Sequence, residues 1–411
     1  MSSFLVTGLS ELTTLEESTG VIRDAAVVIE DGRFAWVGRA QDAPAADDAA
    51  DLGGRAALPG WVDSHSHLVF DGDRSAEFEA RMAGREYAAG GIQVTTDATR
   101  AADDARLAAL LSRRVRAAVA GGTTYLETKT GYGLTVPDEA RGAALAAAAV
   151  DEVTFLGAHL VPAGSDPEEY TRLVCGDMLA AVAPHARWID VFCERGAFTP
   201  EQSRRVLEAG RAAGLGLRVH GNQLGPGAGV ELAVELGAAS VDHVNHLTPE
   251  DVERLAASGR DAAGTWRPGT ETVATVLPAC DLSTRAPLAP AKALLEAGAT
   301  IAIASNCNPG TSYTSSMNFC VATAVLQMGL SLAEAIEAAT LGGARALRAD
   351  RESLAAGTRP RAAGTEAPIG RIAVGHRADL HVLDAPAAIH LAYRPGMPLT
   401  HAVWRAGERA A

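Results

Sequence analysis

The chain has 411 residues, 47% of them hydrophobic and 21% charged, with a formal net charge of −14. That length suits a barrel of about 250 residues plus a smaller unit, and the acidic balance argues against nucleic-acid backbones and anionic membranes as partners. Five scattered cysteines without a CxxC pair argue against a disulfide framework or a cysteine zinc site and fit a reducing cytoplasm.

The opening MSSFLVTGLSELTT lacks a basic stretch followed by a long apolar core, so no secretory signal is expected. No segment offers the roughly 20 apolar residues that span a bilayer. FLVTG, AAVVIEDG and RFAWVG in the first 55 or so residues read as short strands broken by Gly and Asp turns. Beyond them, strand-like runs alternate with Ala/Leu/Arg/Glu stretches of helical character, the pattern of βαβ units around a parallel sheet. Eight strands are expected at 57–67, 123–129, 154–159, 188–193, 215–220, 239–243, 272–278 and 300–306, with helices such as Asp103–Ala120, Pro200–Ala213 and Pro249–Ala257 between them. Residues 258–270 lie between a helix and the next strand, which puts them on the amino-terminal face of a barrel. Residues 349–365 read as a surface linker. GRIAVGHRADLHVLDA and LTHAVWRAGE return to the β pattern. The expected fold is therefore α/β: a (β/α)8 TIM barrel over 57–348, with 1–56 and 366–411 pairing into one small β-sandwich.

Five of the eleven histidines fall at the carboxyl ends of expected strands: His65, His67, His159, His220 and His243. Barrel active sites are built on that face. In PGWVDSHSHLVF, His65 and His67 are two residues apart, so on a strand they share a face and can hold one cation; the bland alternative is a pair of satisfied structural histidines. His220 closes the fifth strand and would add a third ligand, leaving a position for water. His243 closes the sixth strand without a same-face partner and reads as a general acid/base or an oxyanion partner, whereas His246 lies in the following loop and reads as solvated or structural.

Arg74, just past the HxH strand, is suited to bidentate capture of a carboxylate; in a DxDR-like loop it can equally be a surface ion pair. Tyr132 stands in TKTGYGL after the second strand. After the eighth strand, ASNCNPGTSYTSSM makes an Asn-Pro-Gly turn, whose Gly310 and Thr311 amides can hold a carboxylate or oxyanion.

PGWVDSHSHLVFDGDR, TKTGYGL, TFLGAH, VFCERGAF, HGNQLGPG, ASVDH and ASNCNPGTSYTSSM occur in this order across almost the whole chain. Together they resemble the imidazolonepropionase family of metal-dependent amidohydrolases. The resemblance implies hydrolysis of 4-imidazolone-5-propanoate to N-formimidoyl-L-glutamate in histidine degradation, with one zinc or iron ion. It implies metal ligation by His65, His67 and His220, and substrate contacts from Arg74, Tyr132, His159 and Gln223. His243 would stand near the reacting water or carbonyl, and Asn308, Gly310 and Thr311 would hold the carboxylate end. It further implies a cytoplasmic homodimer. The strand-four end, Cys193-Glu194, lacks the lysine that two-metal relatives carboxylate, which points to a single metal.

The family pattern has Asp where this chain has Asn306, as the remaining ligand and proton acceptor. An amide is a weaker oxygen donor and takes up no proton near neutral pH. Three readings of Asn306 stay open: an incidental substitution in a competent enzyme, a weakened enzyme in which His243 does the proton work, or a paralogue that binds a small carboxylate without turnover. Another cyclic-amide hydrolase of the same fold is a further alternative. LPACDLSTRAP after the seventh strand also departs from the pattern, which has Gly and Glu or similar over Ala279 to Asp281. Cys307, beside Asn306, reads as a small buried apolar residue or as a metal contact.

Overall fold

The computed structural model describes residues 3–84, 91–362 and 366–411. Eight parallel strands make one sheet in chain order: β5 (Trp61–Asp63), β6 (Thr123–Lys129), β7 (Glu152–Ala158), β8 (Trp188–Cys193), β9 (Gly216–Gly221), β10 (Ser240–His243), β11 (Val273–Val276) and β12 (Ile301–Ile303). Nearly all of their residues are buried, as expected of parallel strands covered by helices. One core runs through them, with Trp61, Leu126, Phe155, Ile189, Val219, Val241, Ala274 and Ile303 contributing. The helices between strands start where the sequence signals them. Pro200 and Pro249 open helices capped by Thr199 and Thr248, each in a capping box.

β12 and β5 do not pair within their strand limits. The segments just beyond them do: Ser66 bridges Cys307 in parallel, Asn306 N donates to His65 O at 2.9 Å, and His67 N donates to Cys307 O at 2.9 Å. Asp63 reinforces this seam by accepting from Ser305 N at 3.0 Å. The barrel thus closes through the residues that carry the expected ligands.

Both chain ends enter a second sheet of seven strands, ordered β15-β14-β13-β4-β1-β2-β3. Its members are β1 (Phe4–Thr13), β2 (Val21–Glu30), β3 (Arg33–Arg39), β4 (Asp48–Pro59), β13 (Leu380–Leu383), β14 (Thr400–Arg405) and β15 (Glu408–Arg409). Its core includes Val6, Leu9, Val27, Phe34, Leu380, Val382 and Trp404. Two expectations are adjusted. The strand expected at 57–67 is split: Ala57 and Leu58 pair with Val382 and His381 of the second sheet, and only Trp61–Asp63 enters the barrel, so His65 and His67 lie past the strand end. The expected surface linker holds a helix, Arg351–Ala356, and buries Ser353 and Arg359, because Arg359 ion-pairs with Glu152 at the start of β7. Residues 363–365 of that segment lie outside the described residues.

Candidate active site

His65, His67, His220 and His243 meet at the carboxyl ends of the barrel strands, each at most 3% exposed. One ring nitrogen each from His65, His220 and His243 fall within 4.8 Å of one another. His67 joins from the side, its Nε2 3.3 Å from His65 Nε2. The compact trio therefore contains His243, which the sequence places near the reaction, where the expected ligand set has His67.

Two of the four imidazoles, His65 and His220, are oriented from below by carboxylates. His65 Nδ1 is 2.7 Å from Asp242 Oδ2, which turns His65 Nε2 toward the cluster. His220 Nδ1 stands 3.0 Å from Asp190 Oδ2, and His220 N donates to Asp190 Oδ1 at 3.2 Å. Beneath them lies Lys129, fully buried, with its Nζ 3.1 Å from Glu127, 3.0 Å from Asp190 and 3.8 Å from Asp242. Arg218 donates to the same Asp242 oxygen at 3.2 Å. Burial pushes the Asp242 carboxyl up, but Arg218, His65 and Lys129 outweigh it and hold the group well below the carboxylate range. Burial, and then the Lys129 charge, pushes His65 down to about 3; burial and the neighbouring rings push His67 and His243 down as well. These rings are neutral near pH 7, the state in which imidazole offers a lone pair.

Several buried atoms here have no protein partner among the described residues: His220 Nε2, His243 Nδ1 and Asn306 Oδ1. Buried polar groups left in this way are costly, and a shared cation relieves that cost. The 3.3 Å separation of the two Nε2 atoms is about the spacing of two nitrogens bound to one tetrahedral ion at about 2.0–2.1 Å. The residues present fit a divalent metal. Asn306 has φ +49° and His243 has φ +83°, backbone conformations uncommon outside glycine that recur at functional sites.

The cavity over this cluster is lined by His67, Arg74, Tyr132, His159, His220, Gln223, His243, Asn306, Asn308 and Thr311, with Ile92 and Phe192. His159 stacks on His67 with ring centroids 5.6 Å apart and has Nδ1 2.9 Å from Gly131 O. Tyr132 is fixed by its own turn: Glu139 accepts from Gly131 N at 2.9 Å and from Gly133 N and Leu134 N at 2.8 Å. Gln223 N donates to Glu194 Oε1 at 2.5 Å.

One expectation changes in detail. The amides of Gly310 and Thr311 already donate to Asn308 Oδ1 at 2.8 Å each, and Asn308 Nδ2 donates to Thr311 Oγ1 at 2.8 Å. The asparagine side chain thus fills the turn that a substrate oxyanion was expected to fill. Cys307 is 2% exposed and burial pushes its thiol up to about 12, which fits the small apolar role. Sequence reasoning missed Lys129, Asp190, Asp242, Glu127 and Glu139. A signal was present for two of them: Glu127 and Lys129, two apart on a strand, share a face, and charges inside a barrel need partners.

Residues 56–360 match the model of the amidohydrolase family. The chain is similar to the imidazolonepropionase of Micrococcus luteus, 66% identical over 100% of both chains. It is similar as well to that of Arthrobacter sp. (strain FB24), 64% identical over 99% of this chain and 100% of the relative, and to that of Saccharopolyspora erythraea, 63% identical over 100% and 99%. Among solved structures it is similar to a zinc-bound adenosine deaminase from Xanthomonas campestris, with TM-score 0.68, 19% identity, and coverage of 99% of this chain and 92% of that one. It is also similar to N-isopropylammelide isopropylaminohydrolase from Burkholderia multivorans, with TM-score 0.67, 19% identity, and coverage of 100% and 98%. These structural likenesses establish the fold, and the full-length relatives go further: the chain belongs to the amidohydrolase family and, within it, to the imidazolonepropionases.

Proposed function

We propose that the chain hydrolyses 4-imidazolone-5-propanoate to N-formimidoyl-L-glutamate, a step of histidine degradation. The observation that carries this reading is the placement of Arg74, Tyr132 and His159 around the same cavity as the buried histidine cluster: an anion-binding arm beside a metal-binding floor. His65, His67, His220 and Asn306 would hold one zinc or iron ion, with His65 presenting Nε2 because Asp242 takes its Nδ1. When bound, such an ion supplies Lewis acidity toward water and carbonyl oxygen.

The chain's own residues do the rest. Arg74, with its planar fork of donors, receives the propanoate carboxylate, and Tyr132 and Thr311 bound that end. His159, His67 and Tyr132 pack as rings around the imidazolone. Water adds to the ring carbonyl carbon, the carbon–nitrogen bond of the cyclic amide breaks, and one water proton passes to the departing nitrogen. His243 is the residue placed to carry that proton: it lies within the cluster, is neutral, and has a free Nδ1 among the described residues. Asn306 can accept a hydrogen bond through Oδ1 but cannot take the proton. A non-catalytic binding role rests on Asn306 alone, and full-length identities of 63–66% to named imidazolonepropionases do not favour it. The test is formation of N-formimidoyl-L-glutamate by purified protein supplied with zinc or iron. Disappearance of substrate without that product, or no turnover with either metal, would remove the assignment.

A further inference from the structure

Arg74 is 3% exposed at its side chain and sits at the amino-terminal cap of α1 (Ser75–Met82). Its Nε donates to Glu77 Oε2 and its Nη2 to Glu77 Oε1, both at 2.8 Å. A guanidinium has five N–H donors, so this two-bond grip on one edge leaves Nη1 and the outer hydrogen of Nη2 facing away from Glu77. Arg81, one turn further along α1, reaches back in two directions. Its Nη1 stands 3.7 Å from Glu77 Oε1, and its Nη2 donates to Gly310 O at 2.8 Å. Glu77 is thus the joint between the arginine that lines the cavity and the turn that follows β12.

The backbone on both sides is shaped to this pair. A Cβ on Gly310 would overlap the Arg74 guanidinium. A Cβ on Gly91, the residue that caps α2 (Ile92–Ala101), would overlap Glu77 Oε2 and Arg74 Nη2. Two glycines from distant parts of the chain therefore stand directly against the Arg74–Glu77 pair, where a larger residue would displace it.

We propose that Glu77 is a positioning residue that sets selectivity for the substrate carboxylate: it holds Arg74 in the one orientation that presents its free edge to the cavity, and through Arg81 it ties that edge to the Gly310 turn. The inference rests on the reading of Arg74 as the carboxylate arm. Charge and geometry make opposite demands here. By Coulomb attraction alone, removing the Glu77 charge strengthens Arg74 as an anion site and lowers KM. By positioning, the freed guanidinium loses its fixed edge and KM rises.

The test compares 4-imidazolone-5-propanoate with its neutral propanamide on the metal-loaded enzyme. For Glu77→Gln the expected result is a KM for the carboxylate raised about tenfold, with kcat within about twofold and both constants for the amide unchanged. Gly91→Ala, which crowds the pair and leaves its charges intact, raises KM for the carboxylate in the same way. A lower or unchanged KM in Glu77→Gln overturns the proposal, and so does an equal loss with both substrates, which marks a merely structural role. Arg74→Gln runs beside them. If Arg74→Gln abolishes the preference for carboxylate over amide while Glu77→Gln and Gly91→Ala keep it, Glu77 is not the positioning residue and the carboxylate arm stands. If Arg74→Gln keeps the preference, the carboxylate arm falls and the role of Glu77 falls with it.

Discussion

His243 ends β10 and Asn306 follows β12, with only β11 between them in the sheet, and the proposed function divides one task between the two. Asn306 holds a left-handed backbone that asparagine tolerates better than most residues; it lines the cavity over the cluster, and its Oδ1 has no protein partner among the described residues. It can donate an oxygen lone pair but not receive a proton, so the proposed function assigns proton transfer to His243. His243→Ala is therefore expected to lower kcat by about 10²–10⁴-fold. Asn306→Asp restores a charged ligand and is expected to retain metal against a chelator better than the parent chain. Its gain in kcat stays under about tenfold, about 1.4 kcal/mol of barrier, because the proton already has a carrier. Steady-state kinetics of both variants, with metal content measured on the same samples, check this. A His243→Ala enzyme with near-parent kcat, or a thousandfold gain in Asn306→Asp, would reverse the division of labour.

At the level of elements, β6 shows what the floor of the site needs. Glu127 and Lys129 share one face of β6 and pair with each other, and Lys129 reaches Asp190 on β8 and Asp242 on β10, all buried, with Arg218 of β9 against Asp242. Three carboxylates and two cations are thereby enclosed, and two of those carboxylates orient His65 and His220. Lys129→Met keeps the length of the side chain and removes the charge that offsets Glu127 and Asp190. A broken buried network of this kind costs about 3–5 kcal/mol, and the loss should appear as a lower urea midpoint in metal-free protein. A change under about 1 kcal/mol would mean that the carboxylates do not depend on Lys129.

The same elements show what sequence reasoning can and cannot reach. β6 and β8 were legible to the residue: WIDVFC reads as a nearly continuous apolar run of the kind buried strands show, and TTYLETK as a stretch of β-branched and aromatic residues. The strand-end histidines were legible because the barrel assigns its carboxyl face to chemistry. Asp190 and Asp242 were not: a single charge on a buried strand gains meaning only when neighbouring strands are known. The split between β4 and β5 was hidden for the same reason, since Ala57 and Leu58 are claimed by a strand more than 300 residues away. Asn308 was named as a carboxylate contact, but its acceptance of the Gly310 and Thr311 amides escaped, because a turn asparagine can satisfy its own loop amides and nothing local says whether it or a ligand will do so.

Taken as a whole, the molecule joins its two sheets through a buried histidine far from the chemistry. His381 of β13 lies edge-on to Trp61 of β5, ring centroids 5.4 Å apart, and its Nε2 is 2.9 Å from Thr400 Oγ1 of β14. Burial alone pushes this ring down to about 3; burial, then the Arg351 and Arg371 charges, pushes nearby His376 down to about 4. Both must be neutral in the folded chain, whereas an unfolded histidine protonates near pH 6.5. The unfolded state therefore binds more protons below about pH 6.5, so stability is fully present above that pH and is lost as pH falls from there toward the folded values. Each such histidine contributes a slope of up to about 1.4 kcal/mol per pH unit in that interval. His381→Gln retains a hydrogen-bonding side chain for Thr400 and removes the titration. Urea unfolding at pH 7.5, 6, 5 and 4.5 should show the variant less stable at pH 7.5, because the imidazole packing against Trp61 is lost. The gap should then narrow steadily on acidification. Parallel curves across the interval would show that His381 does not titrate with unfolding, and that the acid sensitivity of this joint lies in His376 or in the histidine cluster of the barrel.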